Sequence, residues 1–187
     1  MLTVKIPEIP EMELYDSSRN LFVTLPRVKE QTLTLEHSLI SISLWESHWK
    51  TPFLKNEQKT DEQTLDYIRC MTINKNVDPN VYKRLPASII RQIQRYIDDP
   101  MTATTFREEG ETKKNSKKII TSEEIYWEMI ALNIPSEYEK WHLNRLLTLI
   151  KICAIKSQPP KKLSKREIFE RNKALNEARR KALNSNG

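Results

Sequence analysis

Thr32–Trp49 reads TLTLEHSLISISLWESHW, and the apolar period changes inside it. Leu33 and Leu35 alternate with Thr32 and Thr34, the two-residue repeat of a half-buried strand. After Ser38 the repeat lengthens. Leu39, Ile42, Trp45 and Trp49 recur at three- and four-residue steps, one stripe of a helix that Pro52 forbids to continue. Strand signals lie before this stretch, and helix signals dominate after it. It therefore sets the fold class: α+β, predominantly α-helical, with a small N-terminal antiparallel hairpin or sheet, a helical body and a basic C-terminal helix.

Upstream, Leu2, Val4 and Ile6 alternate with Thr3 and Lys5. The turn-forming cluster Tyr15–Asn20 separates Met12-Glu13-Leu14 from Leu21–Leu25, which predicts a β-hairpin. Downstream, Thr60 with Gln63 three residues on is a capping box, and Leu65, Ile68 and Thr72 follow on one stripe. Asp78-Pro79 opens a short helical turn through Tyr82. Pro86 takes a first helical position ahead of Ile89, Ile90, Ile93 and Ile97, and Asp98-Asp99-Pro100 stops that helix. Residues 107–118 are a charged loop, with Ile119-Ile120 expected as a brief strand against Thr102–Phe106. Thr121 or Ser122 caps a helix with Ile125, Met129 and Leu132 on one face, widened by Tyr126 and Ile130. After the stop at Asn133–Ser136, one helix is expected from Glu137 to about Lys156. Its two stripes (Leu143, Leu146, Leu147, Ile150, Cys153 and Trp141, Leu149, Ile152) imply burial on two sides. Pro159-Pro160 is a rigid spacer. Ser164 and Glu167 form another capping box before a helix from Lys165 to about Leu183 with the thin seam Ile168, Leu175, Ala178 and Ala182. The organisation is residues 1–36 as the β part, 37–157 as the helical body and 158–187 as a Pro-Pro hinge and basic arm.

Charge is as uneven as hydropathy. Lys156 and residues 159–187 hold ten Lys/Arg against three Glu, a net of +7, whereas the whole chain is +6. The rest is therefore close to neutral, and the arm is built to grip a macromolecule. Only two glycines occur, Gly110 and Gly187. Phosphate-cradling loops and nucleophile elbows need glycine where backbone approaches a ligand closely, so nucleotide-binding enzymes of the usual kinds are not expected.

Other chemistry is equally thin. His37, His48 and His142 have no zinc spacing, and no cysteine pair joins them. His142 is placed to bond Glu137 or Tyr138. Cys70 and Cys153 lie on apolar helix patterns, as buried thiols of a reducing compartment do. No signal peptide or membrane-length apolar run is present, which predicts a soluble intracellular protein. The expectation is a non-enzyme with no catalytic residue, no cofactor and no metal. A helix-turn-helix reading of Ser122–Ile155 fails because Glu137 and Glu139 would meet phosphate. The arm carries one aromatic, Phe169, and its charges surround the helix, which suits a protein groove better than nucleic acid.

Four segments resemble small proteins of tailed bacteriophages: LEHSLISISLWESHWKTPFL (Leu35–Leu54), DYIRCMTINKNVDP (Asp66–Pro79), TSEEIYWEMIALNIPSEYEKWHLNRLLTLIK (Thr121–Lys151) and KKLSKREIFERNKALNEARRKAL (Lys161–Leu183). The resemblance is to the tail assembly chaperones of long-tailed, siphovirus-type phages. It implies a helical protein that binds the tape measure protein and supports tail tube assembly, acting in the host cytoplasm. Its partners would be the tape measure protein and other phage tail proteins, with self-association open, nucleic acid ranked lower and no membrane. Contact anchors on this view are Trp45, Trp49, Trp127 and Trp141, with Lys161, Lys162, Lys165, Arg166, Ile168, Arg171, Leu175, Arg179 and Arg180 on the arm. The alternative is a virion structural or nucleic-acid-associated protein that uses the arm on a polyanion.

Overall fold

The computed structural model describes residues 1–17, 20–55, 57–106, 120–158 and 165–183. Its first 35 residues make four strands, β1 (Leu2–Ile6), β2 (Met12–Asp16), β3 (Leu21–Leu25) and β4 (Gln31–Leu35). The expected sheet is drawn out into one ribbon. β1 pairs antiparallel with β4 and β2 with β3, with the lone bridge Ile9–Val28 between the two ladders. The register never slips: Leu2 faces Leu35, Ile6 faces Gln31, Met12 faces Leu25 and Asp16 faces Leu21. Pro7, Pro10 and Pro26 lack the N–H that a continuous ladder needs, and they fall in the gaps.

The ribbon's base belongs to the core. Val4, Ile6, Leu33 and Leu35 are buried, while Thr3, Lys5 and Thr32 on the other face are exposed. The outer edge of β4 is also covered. Ile73 N–H donates to the Thr34 carbonyl (3.0 Å), Glu36 N–H donates to the Met71 carbonyl (2.8 Å), and the Asn74 amide oxygen accepts from Thr34 N–H.

The helices follow their local signals. α1 (Leu39–Trp49) buries Leu39, Ile42 and Trp45 and ends on Lys50 at φ 53°, a left-handed cap two residues before Pro52. α2 (Asp61–Met71) opens with both bonds of the Thr60–Gln63 box. Its buried face is Tyr67, Ile68 and Met71, with Leu65 at the margin and Thr72 already past the last turn. α3 (Asn80–Lys83) is one turn. α4 (Ala87–Asp98) starts one residue after Pro86, which serves as its cap, and buries Ile93 and Tyr96. α5 (Ser122–Ala131) is capped by Thr121, whose hydroxyl accepts from Glu124 N–H.

Two expectations fail here. The single helix from Glu137 is broken into a 3-10 turn (Ser136–Lys140) and α6 (Leu143–Ser157). Trp141 is extended between them, and Leu143 N–H donates to the His37 carbonyl at 2.9 Å, a long-range bond that fixes where α6 begins. α6 buries one stripe, Leu143, Leu146 and Ile150; Trp141, Leu149 and Ile152 are only half-buried, so it lies at the side of the core and not at its centre. Thr102–Phe106 and Ile120 form no strand. The Phe106 ring instead takes the Lys151 ammonium at 4.2 Å from its centroid. Ile119 and the charged loop 107–118 lie outside the described residues, as do Pro159-Pro160 and Ser164.

By its contacts the chain divides into Met1–Ala154 and Ile155–Gly187. Within the second unit, α7 (Lys165–Leu183) is a 19-residue helix with Ile168, Phe169, Leu175 and Leu183 exposed. No described helix is long and apolar enough to cross a membrane.

Candidate partner-binding surfaces

The four tryptophans part company. Trp45 is 1% exposed, packs edge-on against Phe53, and donates its Nε1–H to the Gln63 carbonyl at 2.9 Å. It is core and offers nothing to a partner, which corrects the expectation of an anchor there. Trp49 is half-buried, and its Nε1–H goes to Asp66 Oδ2 at 2.9 Å. The same carboxylate takes His48 and Arg69 (2.9 and 2.7 Å). Burial raises the Asp66 pKa, but the bonds from Arg69, His48 and Trp49 outweigh it and hold the group below its usual value. Trp141 is half-buried and stacked on Tyr138 (4.1 Å between centroids), with the Arg145 guanidinium 4.0 Å from its ring. Only Trp127 stands out, at 66% exposed, with Ile130 one turn along α5 at 75%.

The largest apolar display lies elsewhere, at the tip of the β-ribbon. Met12, Leu14, Tyr15, Leu21, Phe22 and Val23 are all exposed, and Phe22 reaches 73%. Along β3 they occupy both faces in succession. Tyr15 and Phe22 pair across the strands with rings 5.2 Å apart, and Met12, Leu14, Leu21, Val23 and Leu25 share the opposite face. The site was legible as a hairpin but not as a surface. Its signal is Leu21-Phe22-Val23, three successive apolar residues that no single core can cover from one side. At the neck, one nitrogen of the Arg84 guanidinium donates to the carbonyls of both Pro10 and Pro26, each at 2.8 Å.

On α7 the side chains of Arg166, Ile168, Arg171, Leu175, Arg179 and Arg180 are exposed, and Arg166 pairs with Glu170 at 3.1 Å. Lys165 starts the helix, and Lys161 and Lys162 lie outside the described residues.

Among the described residues a second cluster of titratable groups is internal. Tyr67 Oη sits between His37 Nδ1 and Ser41 Oγ, and His37 N–H donates to Tyr96 Oη at 3.4 Å. His142 packs edge-on against His37 (4.9 Å between rings) and donates Nε2–H to the Tyr96 carbonyl at 2.8 Å. That carbonyl can only accept, so the proton is on Nε2. Burial, then the neighbouring His142, pushes the His37 pKa down to about 3, and burial lowers His142 as well. Burial raises Tyr67. Two neutral imidazoles and a neutral phenol, sealed from water, join α1, α2, α4 and the start of α6 as a polar rivet. Cys70 is half-buried, its thiol raised to about 11 chiefly by burial, the reverse of an activated nucleophile.

Compared with protein-family models, curated proteins and solved structures, the chain matches none. The surfaces stand on their own chemistry. Among the described residues no three His, Cys, Asp or Glu side chains gather at metal-binding distance. Exposed apolar or basic side chains gather at the ribbon tip, the Trp127–Ile130 patch and α7.

Proposed function

We propose that the protein is a non-enzymatic bacteriophage tail assembly chaperone that binds the tape measure protein and supports tail tube assembly. The phage context rests on the resemblance of the four quoted segments. The observation that carries the binding role is the ribbon tip, where six large apolar side chains lie exposed on a two-stranded projection. A ribbon of that kind is marginal alone and gains from an apolar partner laid against it. A helical, apolar client that must stay soluble before its tube forms is such a partner, and α7 supplies a second, charged grip.

Co-expression with fragments of the tape measure protein tests this. The full chain is expected to keep a fragment soluble, and the double variant Leu14→Lys, Val23→Lys is expected to fail while folding normally. A fragment equally soluble with and without the protein ends the proposal. The second reading, a structural or nucleic-acid-associated protein, draws on the exposed cations of α7. It predicts DNA retention at low salt that falls steeply as salt rises.

A further inference from the structure

β3 has two edges. β2 fills one, and the other meets no strand among the described residues. Which backbone groups line that open edge follows from Pro26. Proline has no N–H, so Glu11 and Pro26 cannot exchange the two bonds of a hydrogen-bonded pair. The last pair of the ladder, Met12–Leu25, must then be hydrogen-bonded itself, and the pattern alternates from there. Leu21, Val23 and Leu25 spend their backbone groups on β2. Phe22 and Thr24 turn their N–H and C=O outward.

Protein edges are normally blunted by charge, proline or a bulge. β3 carries no charge and no proline from Leu21 to Leu25. The opposite open edge, β2, carries Glu13 and is approached by Glu11. A second copy pairing there about Leu14 would bring the two Glu13 carboxylates together diagonally on one face. Charge therefore closes one edge to self-pairing and leaves the other open.

We infer that β3 is a self-association edge: it pairs antiparallel with β3 of a second copy about a two-fold axis at Val23, making a four-stranded sheet. Phe22 then exchanges two backbone bonds with Thr24 of the partner subunit, and Thr24 does the same with Phe22 of the partner subunit. Val23 faces Val23 of the partner subunit in a non-hydrogen-bonded pair, where side chains come closest. Residues opposite one another share a face, so the apolar faces of both tips merge into one. A five-residue edge buries less than the roughly 800 Å² per partner of a standard stable interface. The dimer is therefore expected to be a weak one.

Sedimentation equilibrium of the full chain from about 5 to 500 µM reads this directly. The mass is expected to rise from monomer toward dimer. Val23→Glu and Val23→Lys, placing like charges across the axis, are each expected to weaken the dimer at least about tenfold. An equimolar mixture of the two is expected to recover it, because Glu then faces Lys. Thr24→Pro removes an outward donor while leaving the β2–β3 bonds intact, so it should abolish the dimer with an unchanged circular dichroism spectrum. A wild-type monomer throughout overturns the inference. So does a dimer that survives these variants, and failure of the mixture to recover overturns pairing at Val23.

Discussion

The two ends of the ribbon share one register and have opposite fates. At the base, alternation matches the environment: Val4, Ile6, Leu33 and Leu35 face the core, and residues 71–74 cover the outer edge of β4. At the tip, both faces carry apolar residues and neither edge meets another strand among the described residues. Strand chemistry is therefore not what makes the base stable; what covers it is. The tip has the composition of an interior strand and the position of an exterior one, the usual condition of a surface awaiting a partner.

The largest test of that contrast is a pair of truncations. Leu33→Ala at the base empties a fully buried site and is expected to cost about 2–5 kcal/mol in urea unfolding. Leu21→Ala at the tip, where the side chain is already in water, should change stability by about 0.5 kcal/mol or less. Equal losses at both positions would mean that the tip is covered, and the comparison would collapse.

Glu46 comes next. Its carboxylate is buried and accepts Phe53 N–H on one oxygen (2.7 Å) and Ser122 N–H on the other (2.8 Å). It thereby ties α1 to the segment after it and to the first turn of α5. Glu46→Ala strands two buried N–H groups and is expected to cost about 2–4 kcal/mol. Glu46→Gln, which keeps one acceptor oxygen, should recover part of that. Neither should alter the binding proposed for the tip.

Acid should likewise undo the body and spare the tip. His37 and His142 are held below their ordinary value, so the unfolded chain takes up their protons first. Stability is intact above about 6.5, the ordinary His37 value, and falls as the pH drops until His37 itself protonates near about 3. The slope approaches about 1.4 kcal/mol per pH unit for His37, which alone removes about 2 kcal/mol by pH 5, and His142 adds a loss of the same sign. Asp66, also depressed, adds its loss below the ordinary carboxylate value. Urea midpoints from pH 8 to 4 check the sign; a midpoint rising on acidification would contradict it.

What could be read in advance was local. The α1 stripe and the Thr60–Gln63 box depend on residues three or four apart, and the structure has both. Even the exposure of Trp127 was present in the pattern. It lies two residues after Ile125, about 200° round the helix from the Ile125–Met129–Leu132 face. The polar rivet was not legible, because Tyr67, Tyr96 and His142 reach His37 from three other elements and no spacing records that. Glu46 and Ser122 are likewise joined only by the fold. The break before α6 has the same cause: the helical pattern runs on through Trp141 and His142, but the bond from Leu143 N–H to His37 overrides it.

The last test, and the sharpest on the comparison, is at the neck. Pro10 and Pro26 cannot pair across the ribbon, so ladder bonds stop between the tip and the Ile9–Val28 bridge. Arg84 spans that gap by donating to both proline carbonyls, and it holds the tip to the body. Arg84→Ala should cost only about 1 kcal/mol of global stability, since water reaches these carbonyls once the guanidinium is gone. Local opening should respond more. Amide exchange at Leu14 and Val23, whose bonds lie beyond the neck, is expected to quicken several-fold, while exchange at Val4 and Leu33 stays as it was. If base and tip accelerate together, the ribbon opens as one cooperative unit and the neck is no boundary. If only the tip responds, the ribbon is a stable base carrying a separately opening end, and partner binding at that end should restore its protection.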